Sequence, residues 1–575
     1  MNKQWKVAER RSDDVVEQLL LNRRIKTEDR EDFLHPRWED VLDPSLFRKM
    51  QDAVDRVFLA LERGDKIVVH GDYDADGVCG SALLWNVLHD VASSTPGVGL
   101  RGSALDVEAY LPDRERDGYG VVMHTIDKLH RDGVNLIITV DCGTSNASEL
   151  NRAHELGMDV IICDHHQLAS DLPARATIIH PLLEDAYPNK DLCGTGVAFK
   201  FATALIREAR KRGADLPDGH EKWYLDLVAI ATVTDVMPIT GENRALEKFG
   251  LVVLNKTRRP GLKKIIESSR TKLGEIDTQA IGFRIGPRLN AAGRMSSAEI
   301  AFKTLIATDD REAADRAAEL EILNRERQKA TEVAYAEARE MVVEDQKCSV
   351  YIVWSEVWAP GIVGLVAGKL VSEFGVPAFA LTKIENQFVG SGRSAGGLHL
   401  VEAMHSCGDI FIKAGGHPQA CGLSLATLDH VEQFRQKVTE FADEFFGINE
   451  PQSAIEIDAE LPLGKIDWEL YETLQRFAPF GKGNPKPLFV ARGLQVMTAN
   501  AVGKEGKHLK LSVNPPEGSV WNMIAFGFGK WAKKLNMGDM IDVVYEINVN
   551  EWNGNRSLQG HVVDLRISEE LGAGC

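Results

Sequence analysis

Three short apolar runs in the first half of the chain each stop at acidic or histidine side chains. They occupy residues 67–69, 136–140 and 160–163, and β-branched residues dominate them. Runs of this length and composition predict buried strands, and the helical patterns between them predict a parallel sheet. The carboxyl ends of parallel strands line one crevice, where open α/β sheets bind ligands. We therefore expect the side chains that follow the three runs to meet there.

The first run continues into H-G-D-Y-D-A-D-G, which places Asp72, Asp74 and Asp76 on alternate residues. Burying ionised carboxylates without partners is costly, and Mg²⁺, Mn²⁺ or Ca²⁺ would supply the opposite charge. An EF-hand loop also begins D-x-D-x-D-G, but it needs a glutamate at its twelfth position and a helix before it. Here the twelfth residue is Leu83, and a strand precedes the aspartates. An acidic turn exposed to solvent remains the alternative.

The other runs end in the same kinds of side chain. Asp141 follows the second run, and D-H-H at 164–166 follows the third. A nearly all-apolar helical pattern at 224–238 delivers Asp235 close to its end. A carboxylate at the end of a buried helix needs a partner, which a cation would provide. A capping aspartate at the helix end is the alternative.

The composition is that of a globular protein, with 44% hydrophobic and 26% charged residues. No apolar run reaches the roughly 18 residues that a membrane span requires, and the polar, basic N-terminal stretch predicts no secretory signal. The eight cysteines form no C-x-x-C pair, which argues against a zinc ribbon and against a disulfide scaffold. A cytoplasmic location is the expectation.

The net charge of −18 is unfavourable for a nucleic-acid binder, but the charge is uneven along the chain. Residues 243–294 contain twelve basic and four acidic side chains. Phosphate binding depends on such local fields more than on the net charge. The alternative is that these lysines only form a solvated face.

Four short motifs follow one another in a recognisable order: D-Y-D-A-D-G, T-V-D-C-G, D-H-H and V-T-D-V. They resemble motifs I to IV of the DHH phosphoesterase superfamily, and the likeness is closest to its bacterial exonucleases specific for single-stranded DNA. It extends over nearly the whole chain, through L-P-D-R-E-R-D-G-Y-G at 111–120, G-P-R-L-N-A-A-G-R at 286–294 and G-G-H-P-Q-A-C-G at 415–422.

The patterns and the resemblance together predict a multidomain α/β protein. The expected parts are an N-terminal helical extension (1–64), a DHH catalytic domain with a parallel sheet (65–310), a connector helix (311–345), a DHHA1 α/β domain (346–448) and an OB-like β-barrel (449–575). The barrel region interleaves basic and aromatic residues, a combination that binds single strands: Lys504, Lys507, His508, Lys510, Trp521, Phe526, Phe528, Trp531, Lys533, Lys534, Trp552 and Arg556. For any single aromatic residue, a place in the barrel core is the alternative.

The expected site holds two cations. The expected metal ligands are Asp74, Asp76, Asp141, His165 and Asp235, with Asp141 or Asp235 bridging. Asp72, Asp164 and His166 are expected to orient the ligands or contact the scissile phosphate. Carboxylates with one or two imidazoles and no thiolate favour Mn²⁺ or Mg²⁺ over Zn²⁺.

Glycine-flanked cationic motifs predict an anion site, and the resemblance makes it a pocket for the 5′ end. Its candidate residues are Arg114, Arg288, Ser391, Arg393 and His417. The chain departs from the family pattern at Ala359, where the resemblance predicts a histidine before Pro360, so this chain lacks the contribution of that histidine.

The resemblance implies a metal-dependent exonuclease of DNA repair and recombination. It would degrade single-stranded DNA 5′→3′ to 5′-mononucleotides by two-metal in-line hydrolysis. We expect a monomer, with a single-strand-binding protein and a helicase as candidate partners. One alternative is a DHH phosphoesterase acting on short oligonucleotides or cyclic dinucleotides, which would not need the barrel. Another is a non-catalytic DHH scaffold, which should have lost metal ligands that this chain keeps.

Overall fold

A computed structural model describes residues 4–98, 106–344, 348–447, 454–552 and 554–568. The chain forms two compact units. One comprises Trp38–Gln452, and the other combines Met1–Arg37 with Ser453–Cys575. In the described residues we find no helix that is both apolar enough and long enough to cross a membrane.

The larger unit contains the predicted parallel sheet. Its five strands lie in the order Val107–Tyr110, Lys66–His70, Val134–Val140, Asp159–Cys163 and Thr177–Ile179, and every neighbouring pair is parallel. Val140 pairs with Cys163, so two of the polar strand ends lie side by side. The predicted fold class is confirmed.

Helices cover this sheet and extend beyond it. The helix Ala75–Ser94 is mostly buried and packs against Gly194–Lys211. The α-helices of this part are Met50–Arg63, Ala75–Ser94, Met123–Arg131, Ala147–Glu155, Gly194–Lys211, Leu225–Thr234, Gly241–Leu254, Pro260–Ser268, Thr278–Ala280, Gly286–Met295 and Glu299–Ile306. A π-helical turn, Ile281–Ile285, directly precedes Gly286–Met295.

The predicted connector is one long helix, Asp310–Glu344. It leads into a second sheet, whose strands lie in the order Phe411–His417, Ala420–Leu425, Gln387–Arg393, Ala378–Ile384 and Tyr351–Ser355. The helices Val363–Phe374, Leu400–His405 and Leu428–Phe446 complete this part of the larger unit.

The smaller unit contains a closed barrel of five strands. Around the barrel they run Phe489–Val502, His508–Asn514, Trp521–Ala525, Asn555–Ile567 and Met540–Trp552, and the last strand pairs with the first. The short strand Ala459–Glu460 flanks it, and Trp468–Gln475 is a helix of the same unit. The predicted OB-like barrel is confirmed.

The first residues of the chain belong to this smaller unit. The strand Gln4–Val7 pairs in parallel with Ala454–Ile457, and helices follow at Val15–Asn22 and Arg30–Leu34. Leu19 and Leu20 are buried in the core of the barrel. The predicted extension 1–64 is therefore divided between the two units, with residues up to Arg37 in the smaller one, where Leu19 and Leu20 are buried, and the rest in the larger one.

Candidate metal centre and anion pocket

The strand ends meet as expected, and His165 lies at the centre of the group. Its Nε2 is 3.1 Å from an oxygen of Asp141, 3.5 Å from one of Asp235 and 3.8 Å from one of Asp76. Three overlapping sets of side chains could each hold a metal ion: Asp141 with His165 and His166, Asp76 with His165 and Asp235, and Asp72 with Asp74 and Asp141. Asp141 and His165 each belong to two of these sets.

Backbone amides fix Asp76 in this group. The N–H of Gly194 donates to one oxygen of Asp76 at 2.7 Å, and the N–H of Thr195 donates to the other at 2.7 Å. These amides open the helix Gly194–Lys211, so its positive end faces the carboxylate. Sequence reasoning missed this contact, and C-G-T-G at 193–196 was the only available signal.

Asp74 caps the helix that follows it. Its Oδ1 accepts hydrogen bonds from the N–H groups of Asp76 at 3.0 Å and Gly77 at 3.2 Å. A Cβ on Gly77 would lie 2.4 Å from the backbone nitrogen of Asp72, so only glycine permits this turn. The side chain of Asn290, which the sequence did not single out, accepts a hydrogen bond from the N–H of Ala75 at 2.8 Å.

Asp141 has an unusual backbone. Its φ of 63° lies in the left-handed region, which costs a non-glycine residue free energy and persists only where the surroundings enforce it. The hydroxyl of Tyr119 donates to its carbonyl at 3.1 Å. Gly194 approaches so closely that a Cβ there would lie 2.6 Å from the Cβ of Asp141. The strained aspartate is therefore held from two sides.

Asp164 and His166 form a hydrogen-bonded pair beside the centre. Oδ1 of Asp164 is 2.9 Å from Nδ1 of His166, and Oδ2 accepts hydrogen bonds from the N–H and hydroxyl of Thr144 at 3.1 and 2.5 Å. Burial alone would raise the pKa of Asp164, but the hydrogen bond from His166 holds that pKa well below its usual range. Burial opposes charge on His166 as well, yet the bond to Asp164 raises the pKa of this imidazole to about 9.

The remaining carboxylates repel one another. Burial first, and then neighbouring carboxylates, raise the pKa values of Asp72, Asp74 and Asp141. Oδ1 of Asp72 is buried and has no hydrogen-bond partner among the described residues. Burial, with the charge on His166, lowers the pKa of His165 to about 4, which favours the neutral, metal-binding imidazole. Excess buried negative charge beside neutral imidazole fits oxygen-preferring divalent cations.

Arginines gather beside the carboxylates. Burial, and then the charges of Arg114, Arg393 and Arg327, lower the pKa of Arg294 to about 9. Arg114 lies over the ring of Tyr73, with 4.3 Å from its guanidinium carbon to the ring centroid. Like charges held together in this way have a strong tendency to bind an anion.

The second sheet contributes side chains to the same region. A Cβ on Gly364 would lie 2.8 Å from the guanidinium of Arg393 and 3.4 Å from the side chain of Ser391, next to the start of the helix Val363–Phe374. The ring of His417 stacks against His166, with 6.0 Å between ring centroids and 25° between planes. With Arg114, four of the five predicted anion-site residues thus lie close to the metal centre or to the gathered arginines.

Arg288 differs from the other predicted anion-binding residues. Its Nε donates to Glu321 of the connector helix at 2.8 Å, and its Nη1 donates to the carbonyl of Arg284 at 2.6 Å. The motif G-P-R-L-N-A-A-G-R at 286–294 contains a second arginine, Arg294, and this is the one that faces Arg114 and Arg393. The two residues are six positions apart on a helix, about 600° of rotation, so they point in different directions.

Family models match three parts of the chain. They are described as the DHH family N-terminal domain, over residues 66–232, the DHHA1 domain, over 345–444, and the RecJ OB domain, over 457–564. The single-stranded-DNA-specific exonuclease RecJ of Bacillus subtilis is 36% identical over 96% of this chain and 68% of its own length. The RecJ of Salmonella typhimurium is 33% identical over 90% of each chain. The chain belongs to the RecJ family.

Solved RecJ structures agree with this assignment. RecJ of Thermus thermophilus in complex with Mn²⁺ superposes with a TM-score of 0.79 at 28% identity, over 98% of this chain and 80% of that one. Its complex with Mg²⁺ gives a TM-score of 0.74 at 26% identity. These are the two cations that the ligand types favour. The resemblance inferred from the motifs, and with it the RecJ domain composition, is confirmed.

Proposed function

We propose that this RecJ-family protein is a metal-dependent exonuclease that degrades single-stranded DNA from the 5′ end to 5′-mononucleotides. The observation that carries the proposal is the position of His165 within 3.1 to 3.8 Å of three carboxylates from separate elements. Such a centre suits phosphodiester hydrolysis, which needs an activated water and positive charge near the phosphate.

The predicted ligands keep their roles in this proposal. Asp74, Asp76, Asp141, His165 and Asp235 would hold two Mn²⁺ or Mg²⁺ ions. When bound, two such ions lower the pKa of a water and stabilise the oxygens of an in-line displacement. The amides of Gly194 and Thr195 keep Asp76 in place, and Asp141 belongs to two of the possible ligand sets, which favours it as the bridging ligand.

The residues beside the ligands orient them and the substrate. Asp164 holds His166 through Nδ1 and is itself held by Thr144. His166 is thereby positioned to contact the scissile phosphate, and Asp72, next to Asp74 and Asp141, is positioned to orient the ligands. His417, stacked on His166, extends this surface toward the second sheet.

We assign the 5′ phosphate to the gathered arginines. Arg114, Arg294 and Arg393 influence one another electrostatically, and Arg114 also acts on Asp72 and Asp74. A phosphate held there would lie close to the metal centre, which explains attack near the end of a strand. Arg288, tied to Glu321, is better suited to supporting its helix than to binding phosphate.

The barrel would bind the strand away from its 5′ end. Of the predicted aromatic residues, Trp521, Phe528 and Trp531 pack against the barrel core, whereas Phe526 is 59% exposed and is flanked by His508 and His561. Aromatic rings with nearby cations bind single strands by stacking and by charge. The side chain of Trp552 lies outside the described residues.

The direct test is digestion of oligonucleotides labelled at either end, single- or double-stranded, with Mn²⁺, Mg²⁺ or EDTA. We expect mononucleotides from the 5′ end of single strands with either cation, and no release in EDTA. Release from 3′ ends, or activity confined to cyclic dinucleotides or very short oligonucleotides, would contradict the proposal. We further infer a cytoplasmic monomer acting in repair and recombination, with a single-strand-binding protein and a helicase as partners.

A further inference from the structure

The helical segment formed by the π-helical turn Ile281–Ile285 and the helix Gly286–Met295 contacts three parts of the candidate site in succession. A Cβ on Gly286 would lie 2.3 Å from the side chain of Thr234, the residue before Asp235. One turn later, Asn290 accepts its hydrogen bond from the N–H of Ala75, between Asp74 and Asp76. After Asn290 the segment reaches the gathered arginines, because a Cβ on Gly293 would lie 2.2 Å from the carbonyl oxygen of Tyr73, whose ring contacts Arg114, and Arg294 follows Gly293.

The opposite end of this segment carries Phe283. Its side chain is 77% exposed, which makes it the most exposed aromatic ring in the described part of the chain. It lies in the π-helical turn Ile281–Ile285, whose first and last residues are fully buried. Single π-helical turns are rare and frequently occur at functional sites. The ring is thus exposed on a backbone that two buried isoleucines hold in place.

Its position relative to the centre is also defined. Gly282, the neighbour of Phe283, approaches a methyl group of Val233 to 3.6 Å, measured from an ideal Cβ. Phe283 therefore lies beside the end of the helix that carries Asp235. Along the helix axis it is about 10 Å from Asn290, at 1.5 Å per residue, on the side away from Arg294.

We propose that Phe283 stacks on a base of the single strand, a few nucleotides to the 3′ side of the bond that is cut. This inference rests on the proposed function, which assigns the 5′ phosphate to the pocket at the Arg294 end. A strand anchored there and crossing the metal centre beside Asn290 continues toward Phe283. Stacking on an aromatic ring tolerates any base, as a nuclease without sequence preference requires.

The test measures kcat and KM for release of the first mononucleotide from 5′-phosphorylated single strands. It uses a series of strands, each of which carries one abasic residue at a different position. In the unmodified protein, one abasic position 3′ of the cut should raise KM by about tenfold, because it removes the stacked base. Phe283→Ala should raise KM for the intact strand by a similar factor and leave kcat unchanged. The abasic residue at that position should then have no further effect.

Two other variants make the result specific. Phe283→Trp should restore the low KM and the sensitivity to the abasic position. Phe445→Ala, which removes another exposed ring of the larger unit, should behave like the unmodified protein. The inference is overturned if Phe283→Ala leaves KM unchanged. It is also overturned if the increase in KM caused by Phe283→Ala and the increase caused by the abasic residue multiply at every position of that residue. If the unmodified protein releases nothing from 5′ ends, the proposed function itself fails.

Discussion

A Cβ atom on Gly194 would lie 2.6 Å from the Cβ of Asp141, while the N–H of Gly194 donates to Asp76 at 2.7 Å. One glycine therefore touches two candidate metal ligands that come from different strand ends. The centre depends on this close approach, which no side chain larger than hydrogen permits.

Gly194→Ala should displace Asp141 or the helix start that holds Asp76. Losing the groups that orient metal ligands typically costs about 10- to 100-fold in metal affinity or activity. The Mn²⁺ concentration for half-maximal nuclease activity should rise by such a factor. Gly368→Ala is the control, because a Cβ there meets nothing within 4 Å. Equal Mn²⁺ dependence in both variants would contradict this role of Gly194.

Asp141→Asn should abolish hydrolysis while the protein stays folded. Asparagine tolerates the left-handed backbone at this position, so the variant tests the carboxylate without changing the turn. Circular dichroism should be unchanged, and excess Mn²⁺ should not restore activity. Treatment with EDTA should inactivate the unmodified protein reversibly. Near-normal turnover by the folded variant would refute the assignment of Asp141 as a metal ligand.

Arg294→Ala should weaken recognition of a 5′ phosphate. One lost hydrogen bond to a charged group costs about 1.5–3 kcal/mol, which corresponds to roughly 10- to 150-fold. The measured quantity is the ratio of kcat/KM for 5′-phosphorylated over 5′-hydroxyl strands. Arg288→Ala, in which the ion pair with Glu321 is lost instead, should keep the ratio. If Arg288→Ala lowers the ratio and Arg294→Ala does not, Arg288 is the residue that binds the 5′ phosphate.

Glu247 should make stability depend on pH. Its side chain is buried, neither carboxyl oxygen has a hydrogen-bond partner in the described residues, and burial raises its pKa well above the usual 4.5. The unfolded chain ionises above that pH while the folded protein keeps the proton. The free energy of unfolding therefore falls as pH rises from 4.5 toward the folded-state pKa, by about 1.4 kcal/mol per pH unit.

Glu247→Gln should remove this slope. Urea unfolding at about pH 5 and about pH 8 should show the variant gaining stability relative to the unmodified protein at the higher pH. Glu267→Gln, at a side chain that is 72% exposed, controls for the loss of a surface charge. Parallel pH profiles for the unmodified protein and Glu247→Gln would mean that the buried carboxyl is ionised.

Removing the barrel should impair binding of long strands more than hydrolysis. All the proposed ligands lie in the larger unit, so a protein comprising residues 38–447 should keep the centre. Stacking contributes about 1–3 kcal/mol per base, so losing two bases of contact should weaken binding of a long strand by about a hundredfold. Release from a very short oligonucleotide should change little. An equal loss on short and long strands would make the barrel part of the catalytic fold.

The sequence predicted the sheet and the ligand cluster because both follow from local patterns. An apolar run with a polar end, such as the one that stops at Asp141, specifies a strand and a side chain at its carboxyl edge. Backbone groups have no such signature, so the glycines of C-G-T-G at 193–196 were too weak a signal to predict that the amides of Gly194 and Thr195 hold Asp76. Likewise, which arginine of one motif faces the pocket depends on how its helix is rotated. Arg288, the residue predicted from that motif, pairs with Glu321, whereas Arg294 lies near Arg114 and Arg393.

Local sequence patterns also could not predict the pairing of strands that are far apart in the chain. The pairing of Gln4 with Ala454 joins segments whose own sequences carry no sign of each other. The short helices of the first 37 residues could be read from the sequence, but not the surface that buries Leu19 and Leu20.

That pairing has a consequence for synthesis on the ribosome. Gln4 leaves the ribosome among the first residues, but its partner Ala454 is made some 450 residues later. At about 5–20 residues per second, the N-terminal segment waits roughly 20 to 90 seconds for its place in the barrel. Trp38–Gln452 is complete by then and can fold first. During that interval Leu19 and Leu20 lack their native partners, and the nascent chain must keep them from aggregating.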